Sequence, residues 1–261
     1  MPPTKKPQYN LDPAIFKKMN RGIGRGLCGV IYADPGIGKT HLASTLDPLT
    51  TLILNTDAGI GPILGKEHTV VTLSDNLEKL DWIYNFLRTE PHPFKNVVVD
   101  NLSELQKRMV NVLTEGRKKD FPELHEYGNA SYKLREYIRL FRDLVEKNIN
   151  VVFNCWEQNF QIKNAGGEVI SKTGPDVFDK VMPELCGIVD FVGRLEFYEK
   201  TGDRWVRFTP QKNLIAKCQF QGLEACEPAD LQEIFGKIYA HNYSTVAGAV
   251  ATAAEMMKQE E

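Results

Sequence analysis

As far as residue 154, short apolar runs alternate with longer stretches whose apolar side chains recur at helical spacing. Short apolar runs are typical of buried strands, whereas apolar positions three or four residues apart predict amphipathic helices. The predicted strands are 27–32, 51–55, 69–73, 96–99 and 150–154. The predicted helices are 39–46, 75–88, 102–115 and 129–147. Because buried strands joined by helices form parallel sheets covered on both faces, the pattern predicts an α/β fold with a largely parallel central sheet flanked by helices.

After residue 154 the pattern changes to paired stretches separated by glycine-containing turns. The first pair is 160–163 and 168–172, and the second is 190–198 and 204–208. Glycine turns between two such stretches are typical of β-hairpins, so we expect C-terminal β-hairpins. A further strand is predicted at 213–216 and a helix at 229–239.

The chain shows no long linker and no internal repeat, so we expect one domain over residues 27–240. Residues 1–26 are polar and rich in Lys, Arg, Pro and Gly, which predicts a flexible N-terminal arm. Residues 241–261 combine an Ala-rich stretch with an acidic end, which predicts a C-terminal helix and tail.

Composition is that of an ordinary globular protein, with 261 residues of which 42% are hydrophobic and 25% are charged. The five cysteines are scattered without a Cys-x-x-Cys pair, which is typical of reduced thiols in the cytosol. No apolar run is long enough to span a bilayer and no apolar segment follows the N-terminus, so we expect a cytoplasmic protein without a membrane partner. The net charge of -2 means that any nucleic-acid binding must come from local basic loops.

The stretch between the first predicted strand and the first predicted helix contains Gly-x-Gly-Lys-Thr and predicts a phosphate-binding loop. Gly36 and Gly38 can adopt backbone angles closed to other residues, so that successive N–H groups turn inward on an anion. Lys39 would reach the β and γ phosphates, and the Thr40 hydroxyl would bind Mg²⁺. The predicted nucleotide contacts are Asp34, Pro35, Gly36, Ile37, Gly38, Lys39, Thr40 and His41. Ala33 replaces the usual opening glycine, and a glycine-rich turn is the alternative interpretation.

Two carboxylates follow predicted strands and are candidates for the chemistry of this site. Asp100 comes directly after the apolar stretch 97–99 and would help to hold Mg²⁺. A helix N-cap is a compatible second role for Asp100. Asp57 follows the strand 51–55 and could orient and deprotonate an attacking water, or it could be a turn residue before Gly59.

The order and spacing of these motifs resemble the RecA-like recombinase core, and more closely the phage ATP-binding proteins grouped as RecA-like single-strand annealing proteins. The resemblance covers roughly residues 27–220. The matching stretches are 34–42, 52–59, 97–105, 126–128, 151–157, 190–195 and 214–223. The resemblance implies a RecA-like P-loop NTPase that hydrolyses ATP with Mg²⁺ and assembles with itself into a ring or filament. In that family the catalytic carboxylate is commonly Glu, whereas the matching residue here is the shorter Asp57.

Two further site residues follow only from this resemblance. The place of the γ-phosphate sensor holds Trp156, with Asn154 and Glu157 beside it. Lys217 lies on a stretch similar to the late strand from which RecA-like proteins extend basic residues into the ATP of a neighbouring subunit. Gln219 stands where a second basic residue is often found, and a solvated lysine at a strand end is the alternative interpretation of Lys217.

The resemblance also implies that two loops, 115–129 and 159–183, face a central axis and bind DNA. The candidate DNA contacts are Arg117, Lys118, Lys119, Phe160, Lys163, Lys172 and Lys180. Cations beside aromatic rings suit sequence-independent binding of single-stranded DNA. Charge runs that are simply solvated, next to acidic neighbours, are the alternative.

The sequence therefore predicts an ATP-hydrolysing RecA-like protein that binds single-stranded DNA in phage recombination or annealing, in the host cytoplasm. A phage single-strand binding protein is a further predicted partner. The alternative belongs to another class: a nucleotide-dependent switch that remodels a protein partner, such as a helicase loader. Both readings need the same nucleotide site, so binding of single-stranded DNA separates them.

Overall fold

The computed structural model describes residues 24–57, 59–73, 76–115, 121–163 and 166–242. The strands are β1 (Cys28–Ala33), β2 (Thr51–Asn55), β3 (Thr69–Thr72), β4 (Asn96–Asp100), β5 (Asn150–Lys163), β6 (Val169–Pro175), β7 (Phe191–Tyr198), β8 (Asp203–Arg207), β9 (Lys217–Cys218) and β10 (Cys226–Pro228). The α-helices are α1 (Lys39–Ala43), α2 (Lys79–Thr89), α3 (Leu102–Glu115), α4 (Leu124–Asp143), α5 (Met182–Ile188) and α6 (231–242). Most of the predicted N-terminal arm and C-terminal tail lies outside the described residues.

The described strands form a mixed sheet in the order β10-β8-β7-β1-β5-β4-β2-β3. The six strands from β7 to β3 are parallel to one another, whereas β6, β8, β9 and β10 pair antiparallel to their neighbours. Strand β5 therefore lies between β1 and β4. The carboxyl ends of β1, β4 and β2 consequently meet at one edge of the central sheet, level with residues 154–156 of β5. This architecture confirms the predicted α/β class with C-terminal hairpins.

Alternate residues of the central strands pack on opposite faces of the sheet. On β4, Val97 and Val99 join an apolar cluster with α2, α3, α4 and α5, whereas Val98 joins the cluster formed with α1 and α6. Full burial of a side chain of this size contributes about 1.5–3 kcal/mol to folding. Because both faces are covered, every position of β4 is buried, which explains its continuous apolar sequence.

The predicted and the observed elements differ most in three places. Helix α4 begins at Leu124 rather than at residue 129, because Glu123 and Glu126 form a reciprocal capping box at its start. Strand β5 continues past residue 154 as far as Lys163, because its second half pairs with β6. The predicted strand at 213–216 forms only isolated bridges through Leu214, and regular pairing is found in β9 instead.

Among the helices of the described residues, none is both long and apolar enough to cross a bilayer.

An ion pair fastens the chain entering β1 to the start of β7. The Arg25 Nη1 and Nη2 groups donate to the two carboxylate oxygens of Asp190, at 3.0 and 2.6 Å. The Cys28 amide donates to the same carboxylate at 2.8 Å. The Asp190 side chain is only 4% exposed, so its charge depends on these donors.

We expect Arg25→Met to lower the free energy of unfolding by about 1–3 kcal/mol, because the buried Asp190 carboxylate would lose two hydrogen bonds. Arg139→Met is the matched control, since Arg139 forms an exposed pair with Glu184 and its loss should cost less than about 1 kcal/mol. Urea unfolding of both variants measures the difference. Equal losses in the two variants would contradict a special role for the buried pair.

Candidate nucleotide-binding site

The loop between β1 and α1 has the backbone geometry of an anion-binding loop. Gly36 and Gly38 have φ angles of 84° and 116°, in the left-handed region that favours glycine. The Lys39 ammonium crosses the loop and donates to the carbonyl oxygens of Ala33 and Asp34, at 2.8 and 3.0 Å. Burial lowers the pKa of Lys39, and the nearby Asp100 carboxylate opposes this shift. The loop thus surrounds a partly desolvated cation, which favours an anionic ligand.

Thr40 and Asp100 meet at the carboxyl edge of the sheet. The Thr40 hydroxyl donates to Asp100 Oδ2 at 2.6 Å, and Asn154 Nδ2 donates to Asp100 Oδ1 at 3.1 Å. Burial raises the pKa of the Asp100 carboxyl even though both hydrogen bonds favour its charged form. Asn154 Oδ1 is buried without a hydrogen-bond partner among the described residues. Hydroxyl, carboxylate and amide oxygens are ligands that suit Mg²⁺, so this donor set fits the predicted ion.

Asp57 lies just beyond β2, whose last residue, Asn55, is paired with Asp100 on β4. Asn101 Nδ2 donates to Asp57 Oδ2 at 2.8 Å, and the Gly59 amide donates to Asp57 Oδ1 at 2.8 Å. The bond from Gly59 is the one expected if Asp57 is a turn residue. The bond from Asn101 holds the Asp57 carboxylate beside the end of β4. The geometry is therefore compatible with both interpretations of Asp57, as a turn residue and as the group that orients water.

Asn101 is a site residue that the sequence interpretation missed. Besides binding Asp57, its Oδ1 accepts the Glu104 amide at 2.7 Å and so caps the start of α3. The N-cap role considered for Asp100 therefore belongs to Asn101. The signal was present in the sequence, because an Asn followed three residues later by a Glu is a common start of a helix.

The three residues at the predicted sensor position have different partners. Asn154 binds Asp100, as described above. The Trp156 amide donates to Ser103 Oγ at 2.8 Å, and the centre of the Trp156 ring lies 4.0 Å from Lys107 Nζ. Glu157 accepts two hydrogen bonds from Arg194, from Nε at 2.7 Å and from Nη2 at 2.8 Å. Of these three, Asn154 is the one bonded to a predicted site carboxylate, and the placement of the sensor at Trp156 remains a prediction.

The Glu157–Arg194 pair forms part of the wall of a cavity of about 370 Å³ beside the phosphate loop. The loop contributes Asp34 and Ile37 to this cavity, and the end of β7 contributes the remaining wall. The candidate site therefore continues from the loop toward β7.

Lys217 lies outside this site. Strand β9 pairs with the first two residues of β7, where Lys217 is aligned with Val192. Its ammonium donates to the Gly187 carbonyl at the end of α5, at 2.9 Å. These contacts lie toward the amino-terminal end of β7, whereas the phosphate loop follows the carboxyl end of the adjacent β1. A contact between Lys217 and a nucleotide would therefore require a second copy of the chain.

The candidate DNA-binding residues are only partly brought together. Phe160 on β5 is directly opposite Lys172 on β6, and the Phe160 ring packs against Gly174. Lys180 is exposed in the segment that leads into α5. Arg117, Lys118 and Lys119 lie outside the described residues, as does the side chain of Lys163.

The base of the β5–β6 hairpin is bonded to the helix that follows Asp100. Ser103 Oγ accepts the Trp156 amide and donates to the Asp176 carbonyl, at 2.8 and 2.6 Å. Gln106 Oε1 accepts the Phe178 amide at 2.7 Å. Helix α3 therefore contacts the hairpin and carries at its start the residue that holds Asp57.

The fold and the site together are those of a P-loop NTPase, because a phosphate loop follows β1 and a carboxylate with a Thr partner ends β4. Residues 25–220 match the protein family described as an AAA domain, which is roughly three quarters of the chain. The protein belongs to this AAA-domain family.

Two solved structures are similar to this chain over most of its length. The crystal structure of the RadB recombinase has 18% sequence identity, covers 72% of this chain and 84% of its own, and gives a TM-score of 0.46. The crystal structure of the flagellar accessory protein FlaH from Methanocaldococcus jannaschii has 11% identity, covers 70% of this chain and 79% of its own, and gives a TM-score of 0.38. No curated protein sequence matches the chain significantly. At these similarities the neighbours carry no argument about function.

We expect Asp100→Asn to fold normally but to lose about 10- to 100-fold of its Mg²⁺-dependent nucleotide affinity, since the metal loses a carboxylate. The fold should persist because an Asn at this position can accept from Thr40 and, once the Asn154 amide has turned over, donate to Asn154 Oδ1. Calorimetric titration with ATP, with Mg²⁺ and with EDTA, measures the effect. Unchanged Mg²⁺ dependence in a folded variant would contradict the assignment.

The same carboxylate predicts a pH dependence. A metal-binding carboxylate must be deprotonated, and burial raises the pKa of Asp100 above the ordinary aspartate value near 3.8. Acidification should therefore weaken Mg²⁺-dependent binding at a pH above this value, whereas binding in EDTA should change less. Equal pH profiles with Mg²⁺ and with EDTA would show that the titration of Asp100 does not control the metal.

Proposed function

We propose that this protein binds ATP with Mg²⁺ and hydrolyses it. The observation that carries the proposal is the convergence of Lys39, Thr40, Asp100 and Asp57 at one edge of the sheet. These residues come from three strand ends that are far apart in sequence. Such a convergence has no evident structural purpose, since it concentrates one cation and two carboxylates in a partly buried site.

Each residue has a role that follows from its position. Lys39 and the loop amides would bind the β and γ phosphates, while Thr40 and Asp100 would hold Mg²⁺. When bound, the ion neutralises phosphate charge. Phosphoryl transfer depends mainly on positioning and electrostatics, so holding these groups in place is the main task of the protein. Asp57, held by Asn101, would orient the attacking water and accept its proton.

We expect Asp57→Asn to bind ATP normally but to hydrolyse it about 100- to 10,000-fold more slowly, because an amide cannot accept the proton of the attacking water. Single-turnover hydrolysis and ATP affinity should be measured on the same preparation. Lys39→Ala is the companion variant, since it should lose ATP affinity itself. Hydrolysis at the wild-type rate by Asp57→Asn would leave Asp57 as a turn residue bound to Gly59.

We propose further that single-stranded DNA binds along the β5–β6 hairpin, in recombination or annealing of phage DNA. Two features support this. Phe160 and Lys172 face each other across the hairpin, which places an aromatic surface beside a cation. The bonds from Ser103 and Gln106 to the hairpin base also give a short path between the nucleotide site and the proposed DNA contacts.

The triple variant of Lys163, Lys172 and Lys180 to Ala tests this hairpin. Each phosphate contact that is lost should flatten the slope of log affinity against log salt by roughly 0.7. Lys133→Ala, an exposed lysine on α4, is the matched control and should leave the slope unchanged. Fluorescence anisotropy with a labelled oligonucleotide over a salt series measures the slope. Wild-type DNA binding by the triple variant would refute the hairpin proposal.

Self-assembly and the role of Lys217 belong to the same proposal. Because Lys217 lies away from the phosphate loop of its own chain, it can act on ATP only in a ring or filament.

The alternative function is a protein-remodelling switch such as a helicase loader. The exposed Phe121 and Leu124 at the start of α4, with 79% and 88% of their surface accessible, favour a protein partner for that alternative.

A further inference from the structure

Arg204 on β8 makes direct contact with the outside of the phosphate loop. Its Nε group donates to the carbonyl oxygen of Ile37 at 2.7 Å, although the two residues are 167 positions apart in sequence. A Cβ atom at Gly38 would lie 2.9 Å from the same Nε and 3.3 Å from Cδ of Arg204. The absence of a side chain at Gly38 therefore lets the arginine approach the loop backbone.

This contact meets a requirement of the loop itself. A phosphate-binding loop turns its N–H groups toward the anion, so its carbonyl groups must find hydrogen-bond donors elsewhere. The φ of 116° at Gly38 is one of the two backbone rotations that orient the peptide group joining it to Ile37. Because that one peptide carries both the Ile37 carbonyl and the Gly38 N–H, a donor that holds the carbonyl also sets the direction of the N–H.

The Arg204 side chain and backbone are both held by contacts within the fold, so the side chain can fix the position of the Ile37 carbonyl. Its guanidinium carbon lies 5.0 Å from the centre of the Phe197 ring, on the strand directly opposite. Its own carbonyl accepts the Ala229 amide at 3.0 Å, where the chain enters α6. The side chain is half-buried, so its rotamers are restricted on both sides.

We propose that Arg204 is a positioning residue of the phosphate loop, which through the Ile37 carbonyl aims the Gly38 N–H at a nucleotide phosphate. This inference rests on the proposed nucleotide binding. The β7–β8 hairpin thereby becomes part of the nucleotide site in the same chain. The hydrogen bond, rather than the positive charge of the guanidinium, carries the effect.

Two substitutions of equal length separate the hydrogen bond from the charge. Gln carries an amide N–H at the same number of bonds from Cα as the arginine Nε, whereas Met carries a methyl group there. Arg204→Met should bind Mg²⁺-ADP roughly two- to tenfold more weakly, and Arg204→Gln should recover most of this loss. Arg88→Met is the matched control, because Arg88 also lies over an aromatic ring, that of Tyr84, on a different part of the fold.

The measurements are calorimetric affinity for Mg²⁺-ADP and thermal melting without nucleotide. Equal melting of the Met and Gln variants, with weaker binding only in the Met variant, supports the proposal. Equal weakening in both would assign the effect to the charge, and wild-type binding by both would show no role; either result overturns the proposal. If the Met variant does not fold, weakened binding by the Gln variant overturns it and wild-type binding supports it. Failure of the wild-type protein to bind ADP or ATP would instead refute the proposed function.

Discussion

The position of β5 between β1 and β4 is the constraint on which the site depends. Hydrogen bonding aligns Tyr32 with Cys155 on one side of β5 and Val99 with Phe153 on the other. This register brings the phosphate loop after β1 and Asp100 at the end of β4 to opposite sides of the middle of β5. Asn154, in this part of β5, donates to Asp100, and Thr40 donates to the same carboxylate from the loop side. A shift of β5 by one residue would turn Asn154 to the other face of the sheet and break this arrangement.

Burial removes the charged groups of this site from water, which destabilises their charged forms. The same desolvation raises the pKa of Asp100 and lowers the pKa of Lys39, so each charge is less stable than it would be in water. Mutual attraction and hydrogen bonds from Thr40 and Asn154 offset part of this cost. A site that holds partly desolvated charges of both signs is suited to a ligand that brings phosphates and a metal ion together.

Hydrogen bonds also connect the site with the elements around it. Helix α3 begins after the Asn101 cap, and its first two turns carry Ser103 and Gln106, which bond the base of the β5–β6 hairpin. On the other side of the loop, Arg204 bonds the β7–β8 hairpin to Ile37. The phosphate loop is thus hydrogen-bonded directly to the β7–β8 hairpin. Asp57 is connected to the β5–β6 hairpin through Asn101 and the start of α3.

The sequence by itself determined the class of fold, and it identified the candidate phosphate loop and the two candidate carboxylates, because each of these depends on neighbouring residues. Apolar runs specify buried strands, and the glycines and lysine of the loop act within eight consecutive residues. Asn101 could also have been found by such local reasoning, since it caps the helix that begins at the next residue. What only the tertiary structure decided are contacts between residues far apart in the chain. The placement of Lys217 away from the loop, the packing of Phe160 on Gly174 and the bond from Arg204 to Ile37 have no local signature. They follow from which strands pair and in which register, and a pattern of apolar positions constrains strand pairing far less than it constrains the strands themselves.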